Sequence, residues 1–267
     1  IEIKNKLELQ AKPEIREYFN SQDFKKLEIT SNDDLKLYGF YKDNNQTKLA
    51  ILVHGYGGSH YDMYSYSKLF ETREYDILAI DLRAHGISEG DMLTMGLYEH
   101  FDVIKWIIKM LEIKSQYKIV LFGISMGAST VCMSLGELLP NNCICAIEDC
   151  GYDNANKEFM HVYSKTKLKS KFIYKIFYNY TKRTKEIDLN SIDVCEKLKK
   201  SKLPVLFIHG DKDDFVPTNM VYNLYDSLPP SRRQLYIAKD ATHTKSIDVN
   251  EKEYKRQVYN FLDKYNM

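Results

Sequence analysis

The chain has 267 residues, a length at which an α/β protein routinely forms one domain with a sizeable buried core. Its 38 lysines and arginines nearly balance its 37 aspartates and glutamates. The chain therefore has no large net positive charge that would attract nucleic acid or an anionic surface. Its 5 cysteines include no CxxC pair and no Cys/His cluster with zinc-like spacing, so we expect reduced, mostly buried thiols.

The sequence shows no membrane span and no secretion signal. None of its apolar runs approaches the roughly 20 residues needed to cross a bilayer, and no charged-then-apolar segment opens it. We therefore expect a cytoplasmic protein. The chain begins at Ile1 rather than at a methionine, so the alternative is a membrane-anchored or exported protein whose N-terminal segment precedes this sequence. No feature of the sequence defines an oligomeric state.

The N-terminal part predicts an edge element followed by a hairpin. Residues 1–23 are charged with scattered apolar positions, which indicates a helix or arm packed on the edge of the domain. The alternating segments 24–30 and 35–42 are separated by the turn sequence SNDD and predict an antiparallel hairpin.

Short continuous apolar runs then alternate with helical patterns. The runs, which are typical of strands covered on both faces, lie at 49–53, 77–80, 119–122, 143–147 and 205–208. The helical patterns lie at 96–113, 128–139 and 218–228. This alternation predicts a right-handed, doubly wound, mostly parallel sheet flanked by helices.

Residues 152–202 interrupt the alternation. They are rich in lysine and tyrosine, poor in glycine, and carry two or three helical patterns without a convincing strand, which predicts a small helical cap. One pattern has an apolar face that either roofs a pocket or packs on the sheet domain. That face comprises Phe172, Ile173, Ile176, Phe177 and Tyr180. The excess of lysines here is compatible with binding of an anionic substrate or a membrane surface. The alternative is that these lysines only form a solvent-exposed face.

The strand predicted to end at Phe122 is followed by GISMG at 123–127 and by small residues that open a helix. A nucleophile elbow has this strand–turn–helix context. Its serine adopts a strained backbone conformation that aims Oγ above the strand ends, and side chains two residues away would collide with the turn, hence the glycines. We predict Ser125 as the nucleophile, with a glycine-rich structural turn as the alternative.

The loop HGYGGS at 54–59 predicts half of an oxyanion hole. Backbone N–H groups that face the developing oxyanion each contribute ~3 kcal/mol to transition-state stabilisation. We expect one donor at Met126, directly after the nucleophile, and the second at Tyr56. A phosphate-binding loop is the weaker alternative, because neither GxxxxGK[ST] nor a complete GxGxxG is present.

Seven histidines compete for the role of general base. His243 has the best context, because it follows the strand 234–238 in a short loop before the last helix and can reach back over the carboxyl edge of the sheet. The acid is expected after another strand and before this histidine. Residues 209–217, HGDKDDFVP, supply Asp211, Asp213 and Asp214 as candidates, and those not used would cap a helix or brace the loop.

Five motifs in order make the chain similar to a known family. They are HGYGG at 54–58, DLRAHGIS at 81–88, GISMG at 123–127, HGDKDDFVP at 209–217 and TH at 242–243. Together they resemble bacterial α/β-hydrolases related to the prolyl-oligopeptidase-like and acyl-esterase groups. The family pattern HGxxDxxVP implies Asp213 as the catalytic acid. Its DxRGHGxS motif is matched with Ala84 in place of a glycine and implies a bracing role for Arg83 and His85.

The resemblance runs from about Phe24 to the C-terminus and implies an α/β-hydrolase fold. The residue patterns divide the chain into an arm at 1–23, a core at 24–151 and 203–267, and the cap at 152–202. The resemblance also implies hydrolysis of a small-molecule carboxylic ester by the triad Ser125, His243 and Asp213, with no metal or organic cofactor. Thioester hydrolysis, acyl transfer and small-peptide hydrolysis use the same triad and stay open. A non-catalytic hydrolase-fold binding protein is the remaining alternative.

Overall fold

The computed structural model describes residues 11–166, 170–184 and 187–267, apart from the side chains of Lys171, Phe172, Tyr174, Phe177 and Thr184. Of the predicted N-terminal arm, residues 1–10 lie outside the described residues. The remainder forms helix α1 (Pro13–Asn20), which begins with proline, a residue well suited to the first helical turn. Phe19 of this helix is buried against Phe24 and Tyr61, so α1 packs on the sheet domain.

An 8-stranded sheet forms the centre of the molecule. Its strands are β1 (Phe24–Thr30), β2 (Lys36–Lys42), β3 (Lys48–Val53), β4 (Asp76–Ile80), β5 (Lys118–Ile124), β6 (Cys143–Asp149), β7 (Val205–Gly210) and β8 (Arg233–Ala238). The strand order is β1-β2-β4-β3-β5-β6-β7-β8, with antiparallel pairing up to β4 and parallel pairing from there on. The predicted hairpin and the mostly parallel sheet are both confirmed.

Helices cover both faces of this sheet. Besides α1 they are α2 (Tyr64–Glu71), α3 (Glu99–Ile113), α4 (Met126–Ser134), α5 (Ala155–Ser164), α6 (Lys171–Thr184), α7 (Val194–Leu198), α8 (Asn219–Asp226), α9 (Ser246–Val249) and α10 (Glu251–Lys264). Neighbouring residues of a strand face opposite sides. Leu121 of β5 thus joins the core that contains Trp106 of α3, whereas Phe122 joins the core that contains Phe70 of α2 and Tyr254 of α10.

Two predicted helix boundaries were wrong. The helix expected from residue 96 begins at Glu99, because Gly96 has φ +88°, outside the helical range, and the Glu99 carboxylate accepts hydrogen bonds from the Thr94 and Gly96 amides. The helix expected over 128–139 covers Met126–Ser134 instead. Just beyond it, Gly136 lies so close to α7 that a Cβ there would come within 2.7 Å of the Lys197 carbonyl oxygen.

Residues 152–202, hereafter the helical segment, contain α5, α6 and α7 with a 3₁₀ turn at Leu189–Ser191. Asn154 caps α5 by accepting hydrogen bonds from the Asn156 and Lys157 amides. The apolar face predicted in α6 does not become buried where it is described. Ile173, Ile176 and Tyr180 are exposed, while the side chains of Phe172 and Phe177 lie outside the described residues.

No helix within the three described ranges has the length and apolar character required to cross a membrane. The 5 cysteines are free thiols, of which 4 are buried and Cys195 is partly buried.

Candidate active site

Ser125 lies at the sharp turn between β5 and α4. Its backbone has φ 55° and ψ −122°, a strained combination for a residue with a side chain, and its N–H donates a hydrogen bond to the Asp149 carbonyl at 2.8 Å. A Cβ at Gly123 would collide with the backbone of Gly127, and one at Gly127 would collide with the Val53 carbonyl. The turn therefore requires both glycines and holds the serine above the strand ends.

His243 follows β8 and lies between Ser125 and Asp213. Its Nε2 is 2.8 Å from Ser125 Oγ, and its Nδ1 is 2.7 Å from Asp213 Oδ2. Because an ionised carboxylate can only accept, Nδ1 carries the proton and Nε2 is free to accept the serine hydroxyl proton. Phe215 packs against the imidazole ring, with 4.8 Å between the ring centroids. The structure thus brings the three predicted side chains into one hydrogen-bonded chain.

Asp213 follows β7 and is held from several directions. Its Oδ1 accepts hydrogen bonds from the Phe215 and Val216 amides, both at 3.0 Å, and its Oδ2 lies 3.3 Å from His209 Nε2. Burial acts to raise the pKa of Asp213, but hydrogen bonds from His209 and His243 outweigh burial and lower the pKa to about 2. Asp213 is consequently ionised at neutral pH.

The two other acidic residues of this loop have different partners. Asp211 accepts a hydrogen bond from the Asp240 amide at 2.6 Å, which ties the β7 loop to the β8 loop. The Asp214 carboxylate is largely exposed and lies 3.3 Å from Lys165 Nζ. Asp211 thus braces the loop, whereas Asp214 forms a solvent-exposed ion pair.

The loop after β3 runs directly against the nucleophile. A Cβ at Gly55 would lie 3.1 Å from the Ser125 Cβ, so the backbone that leads to Tyr56 passes beside the serine. Met126 is the first residue of α4, and its N–H has no acceptor within the helix. Tyr56 and Met126 therefore stay the predicted oxyanion donors.

Buried histidines fix this loop. His85 Nδ1 lies 2.8 Å from the Arg83 carbonyl oxygen, to which it donates, and its Nε2 accepts the Gly57 N–H at 3.1 Å. His54 Nε2 accepts the Leu82 N–H at 3.1 Å. Both imidazoles thus join neighbouring loops through hydrogen bonds.

The motif at 81–88 braces the same region. The buried Arg83 side chain pairs with Asp102 at 2.8 Å and with Asp33 at 2.9 Å. Ala84, at the position where the resembled family has glycine, adopts φ +58°. This left-handed conformation suits glycine better than alanine, so the family's preference has a direct backbone explanation.

Two cavities meet at Ser125. The first, of about 480 Å³, we call the apolar cavity, and the second, of about 440 Å³, we call the polar cavity. Ser125, Tyr56 and Phe215 line both. The apolar cavity is otherwise lined by Met92, Leu93, Thr94, Met95, Met126, Tyr152, Glu158, Phe159, Val162, Thr181, Ile187, Leu189 and Val216. The polar cavity is otherwise lined by Gly55, Gly57, Gly58, Asp62, Ser65, Tyr66, Ile124, His243, Thr244, Lys245, Ile247 and Asp248.

Glu158 is the acidic side chain in the wall of the apolar cavity. It is 4 % exposed, and neither carboxyl oxygen has a hydrogen-bond partner among the described residues. Burial, followed by the nearby Asp213 charge, raises its pKa to about 8. Sequence reasoning missed this residue, since one glutamate in a charged helical stretch carries no signal of burial.

Cys150, Asp213 and His243 are close enough to be considered as metal ligands, with ligand atoms within 4.8 Å of one another. The Asp213 and His243 atoms already bond each other, and burial raises the pKa of the Cys150 thiol well above its ordinary value. Because the thiolate is the ligand form of cysteine, this environment disfavours a metal.

Comparison with known proteins places this geometry in context. The sequence model of a family described as alpha/beta hydrolase fold matches residues 49–167. The uncharacterized protein YqkD of Bacillus subtilis is 26 % identical over 264 residues, which cover 95 % of this chain and 84 % of that protein. The uncharacterized membrane protein YNL320W of Saccharomyces cerevisiae is 21 % identical over 84 % of this chain and 75 % of its own length.

Solved structures of similar architecture include two hydrolases. The Pyrococcus furiosus esterase Pf2001 is 26 % identical and superposes with a TM-score of 0.73, covering 91 % of this chain and 92 % of the esterase. The Pyrococcus horikoshii acylaminoacyl peptidase is 20 % identical with a TM-score of 0.68, and the match covers 93 % of this chain but 43 % of the peptidase. These findings confirm the predicted α/β-hydrolase fold.

Proposed function

We propose that this chain, which has the α/β-hydrolase fold, is a serine hydrolase that cleaves carboxylic esters through an acyl-enzyme formed on Ser125. The observation that carries this proposal is the unbroken hydrogen-bonded chain from Ser125 through His243 to Asp213, built on a strained turn. A turn with only a structural role has no need for a histidine 2.8 Å from the serine hydroxyl.

In the proposed reaction, Ser125 Oγ attacks the ester carbonyl while His243 Nε2 accepts its proton. The imidazolium that results is stabilised by the Asp213 carboxylate, which does not itself take the proton. Collapse of the tetrahedral intermediate breaks the bond to the alcohol, whose oxygen receives the proton from His243. Water then attacks the acyl-enzyme by the same route and releases the acid.

The Tyr56 and Met126 amides are proposed to bind the negative oxygen of the intermediate. Two features support this role: the backbone of the β3 loop passes against Ser125, and Met126 presents an N–H at the start of α4. The hydrogen bond from Gly57 to His85 fixes the loop before substrate arrives. Preorganised donors of this kind need not reorient as charge develops.

Ester substrates are favoured over peptides by the extent of the structural matches. The esterase corresponds to this chain over almost its whole length, whereas more than half of the peptidase has no counterpart here. The helical segment is proposed to act as the cap, since Phe159, Val162 and Leu189 line the apolar cavity beside Ser125.

The test is hydrolysis of p-nitrophenyl esters from acetyl to palmitoyl by the wild type, Ser125→Ala and the control Ser115→Ala, an exposed serine after α3. We expect the wild type and the control to release p-nitrophenol alike, and Ser125→Ala to lose activity by about 10⁴-fold or more. Equal turnover by folded Ser125→Ala, or none by folded wild type across the series, would contradict the proposal.

A further inference from the structure

The two cavities that meet at Ser125 differ in the polarity of their walls and in the parts of the chain that form those walls. Of the side chains that line the apolar cavity, those from the helical segment include Phe159, Val162 and Leu189. The polar cavity is lined instead by residues from α2 and from the loop after β8, among them the exposed Ser65 and Lys245. A substrate attacked by Ser125 can therefore extend in two directions, into surroundings of opposite character.

Proton transfer determines which part of the ester occupies which cavity. The oxygen of the departing alcohol takes its proton from His243 Nε2, so the alcohol must lie on the histidine side of the serine. His243, Thr244 and Lys245 line the polar cavity, and none of them lines the apolar cavity among the described residues. The acyl chain is left with the apolar cavity, whose aliphatic and aromatic walls suit it.

The polar cavity offers both hydrogen-bond acceptors and donors. The Asp248 carboxylate lies 2.9 Å from Lys245 Nζ. One carboxylate oxygen of Asp62 accepts a hydrogen bond from the Ser59 amide and so caps the 3₁₀ turn at His60–Met63. The Ser65 hydroxyl lies in the same wall. Hydroxyl groups can donate to the carboxylates and accept from the ammonium and hydroxyl groups, which a plain alkyl chain cannot do.

From this arrangement we infer the substrate class: esters that join an apolar acyl chain to an alcohol carrying further hydroxyl groups, with the chain in the apolar cavity and the polyol in the polar cavity. The inference rests on the proposed serine-hydrolase function. The two are separable in experiment, because hydrolysis of simple esters that depends on Ser125 tests the function without testing the cavities.

The first experiment compares matched alcohols. Glycerol 1-monobutanoate and propyl butanoate share one acyl group and differ by two hydroxyls, and the hexanoates form a second pair. We expect kcat/KM to favour the glycerol ester about tenfold, and Asp248→Leu to reduce that preference to about twofold, because exposed hydrogen bonds contribute modestly. Equal kcat/KM values for the glycerol and propyl esters in an enzyme that requires Ser125 would overturn the polyol assignment while leaving the proposed function intact.

The second experiment separates the cavities by reaction step. The alcohol has left before deacylation, so deacylation depends on the acyl group alone. Ser65→Trp, which narrows the polar cavity, should slow acylation by the glycerol ester about tenfold or more and leave the deacylation rate unchanged. Val162→Trp should shift the chain-length optimum to shorter acyl groups and change the deacylation rate.

Two further variants keep this experiment decisive. Ser115→Trp places the same bulk on the exposed loop after α3 and should change neither step. Thr181→Phe, on α6, narrows the apolar cavity from another helix if Val162→Trp does not fold. The reverse pattern, in which Ser65→Trp shortens the acyl optimum or alters deacylation, would overturn the assignment of the two cavities.

Discussion

The carboxyl edge of the sheet and the helical segment contribute to the same site in different ways. At the sheet edge, Ser125, Asp213 and His243 each follow a strand, and short local sequences fix their backbones. In the helical segment, cavity-lining residues such as Val162 and Leu189 come from separate turns of the chain. The placement of the proposed catalytic groups therefore depends on local backbone geometry, whereas the shape of the proposed substrate pocket depends on how helices pack.

The largest expected effect comes from changing the charge within the sheet-edge group. Asp213→Asn keeps the size of the side chain but removes the carboxylate that holds the proton on His243 Nδ1. We expect kcat for a p-nitrophenyl ester to fall by about 10⁴-fold. Asp211→Asn, whose carboxylate bonds the Asp240 amide instead, is the control and should retain most activity. Similar activity losses in both variants would mean that activity depends on the conformation of the loop and not on the Asp213 carboxylate.

The backbone geometry of the sheet edge can be tested at the glycines. Gly127→Ala forces a methyl group against the Val53 carbonyl. We expect this contact to lower the free energy of unfolding by about 3 kcal/mol, because the turn can relax only partly around the added methyl group. Gly57→Ala is the matched control: φ is +70°, nothing lies within 4 Å of the added Cβ, and the expected loss is about 1 kcal/mol. Urea unfolding of both variants measures the difference, and equal losses would refute the packing explanation.

A smaller effect, confined to the helical segment, concerns Glu158. Its pKa in the folded protein, about 8, lies above the ordinary value of 4.5, so the folded protein binds more protons than the unfolded chain between these values. The stability of the wild type should therefore fall as pH rises through this range. Glu158→Gln cannot ionise, and we expect its Tm relative to wild type to rise by about 5 °C from pH 5 to pH 8.

The control for this prediction is Glu196→Gln, which changes an exposed glutamate of α7 in the same helical segment. Its Tm difference from wild type should stay constant over the same range of pH. A Tm difference between Glu158→Gln and wild type that also stays constant with pH would show that the Glu158 carboxyl group is hydrogen-bonded or hydrated in the folded protein.

The smallest expected effect is a gain in stability at the bracing motif. Ala84 holds φ +58°, and Ala84→Gly should relieve that conformation. Because glycine also loses more entropy on folding, we expect a net gain of about 0.5–1 kcal/mol in the free energy of unfolding. A thermal melt checks this, with unchanged hydrolysis of a p-nitrophenyl ester as the control. A loss of stability would mean that the Ala84 methyl makes contacts that outweigh the strain.

Much of the sheet edge could be predicted from the sequence because its signals are local. The buried parallel strands appear as continuous apolar runs, and GISMG between a strand and a helix leaves few backbone solutions. The choice of Asp213 among three aspartates depended on family resemblance, because the distance to His243 is set by tertiary structure. The predicted end of a helix was wrong where a contact with a distant part of the chain sets it, as at Gly136 beside α7.

The features that sequence reasoning missed are tertiary contacts. His209, at the end of β7, places Nε2 within 3.3 Å of Asp213, which no spacing rule indicates. Phe215 packs on His243 and lines both cavities, although its position after four consecutive charged residues suggests only a loop. Glu158 becomes buried because α5 turns it toward the apolar cavity. Each depends on residues far away in the chain.

The most direct test of the central claim is to map a fluorophosphonate adduct by mass spectrometry of the digested protein. We expect one adduct on Ser125 in the wild type, none in Ser125→Ala, and labelling at least about 10³-fold slower in His243→Ala because the serine loses its base. The labelling rate should also fall in Asp213→Asn. Folded wild type that takes up no label, or an adduct on a different residue, would contradict the central claim.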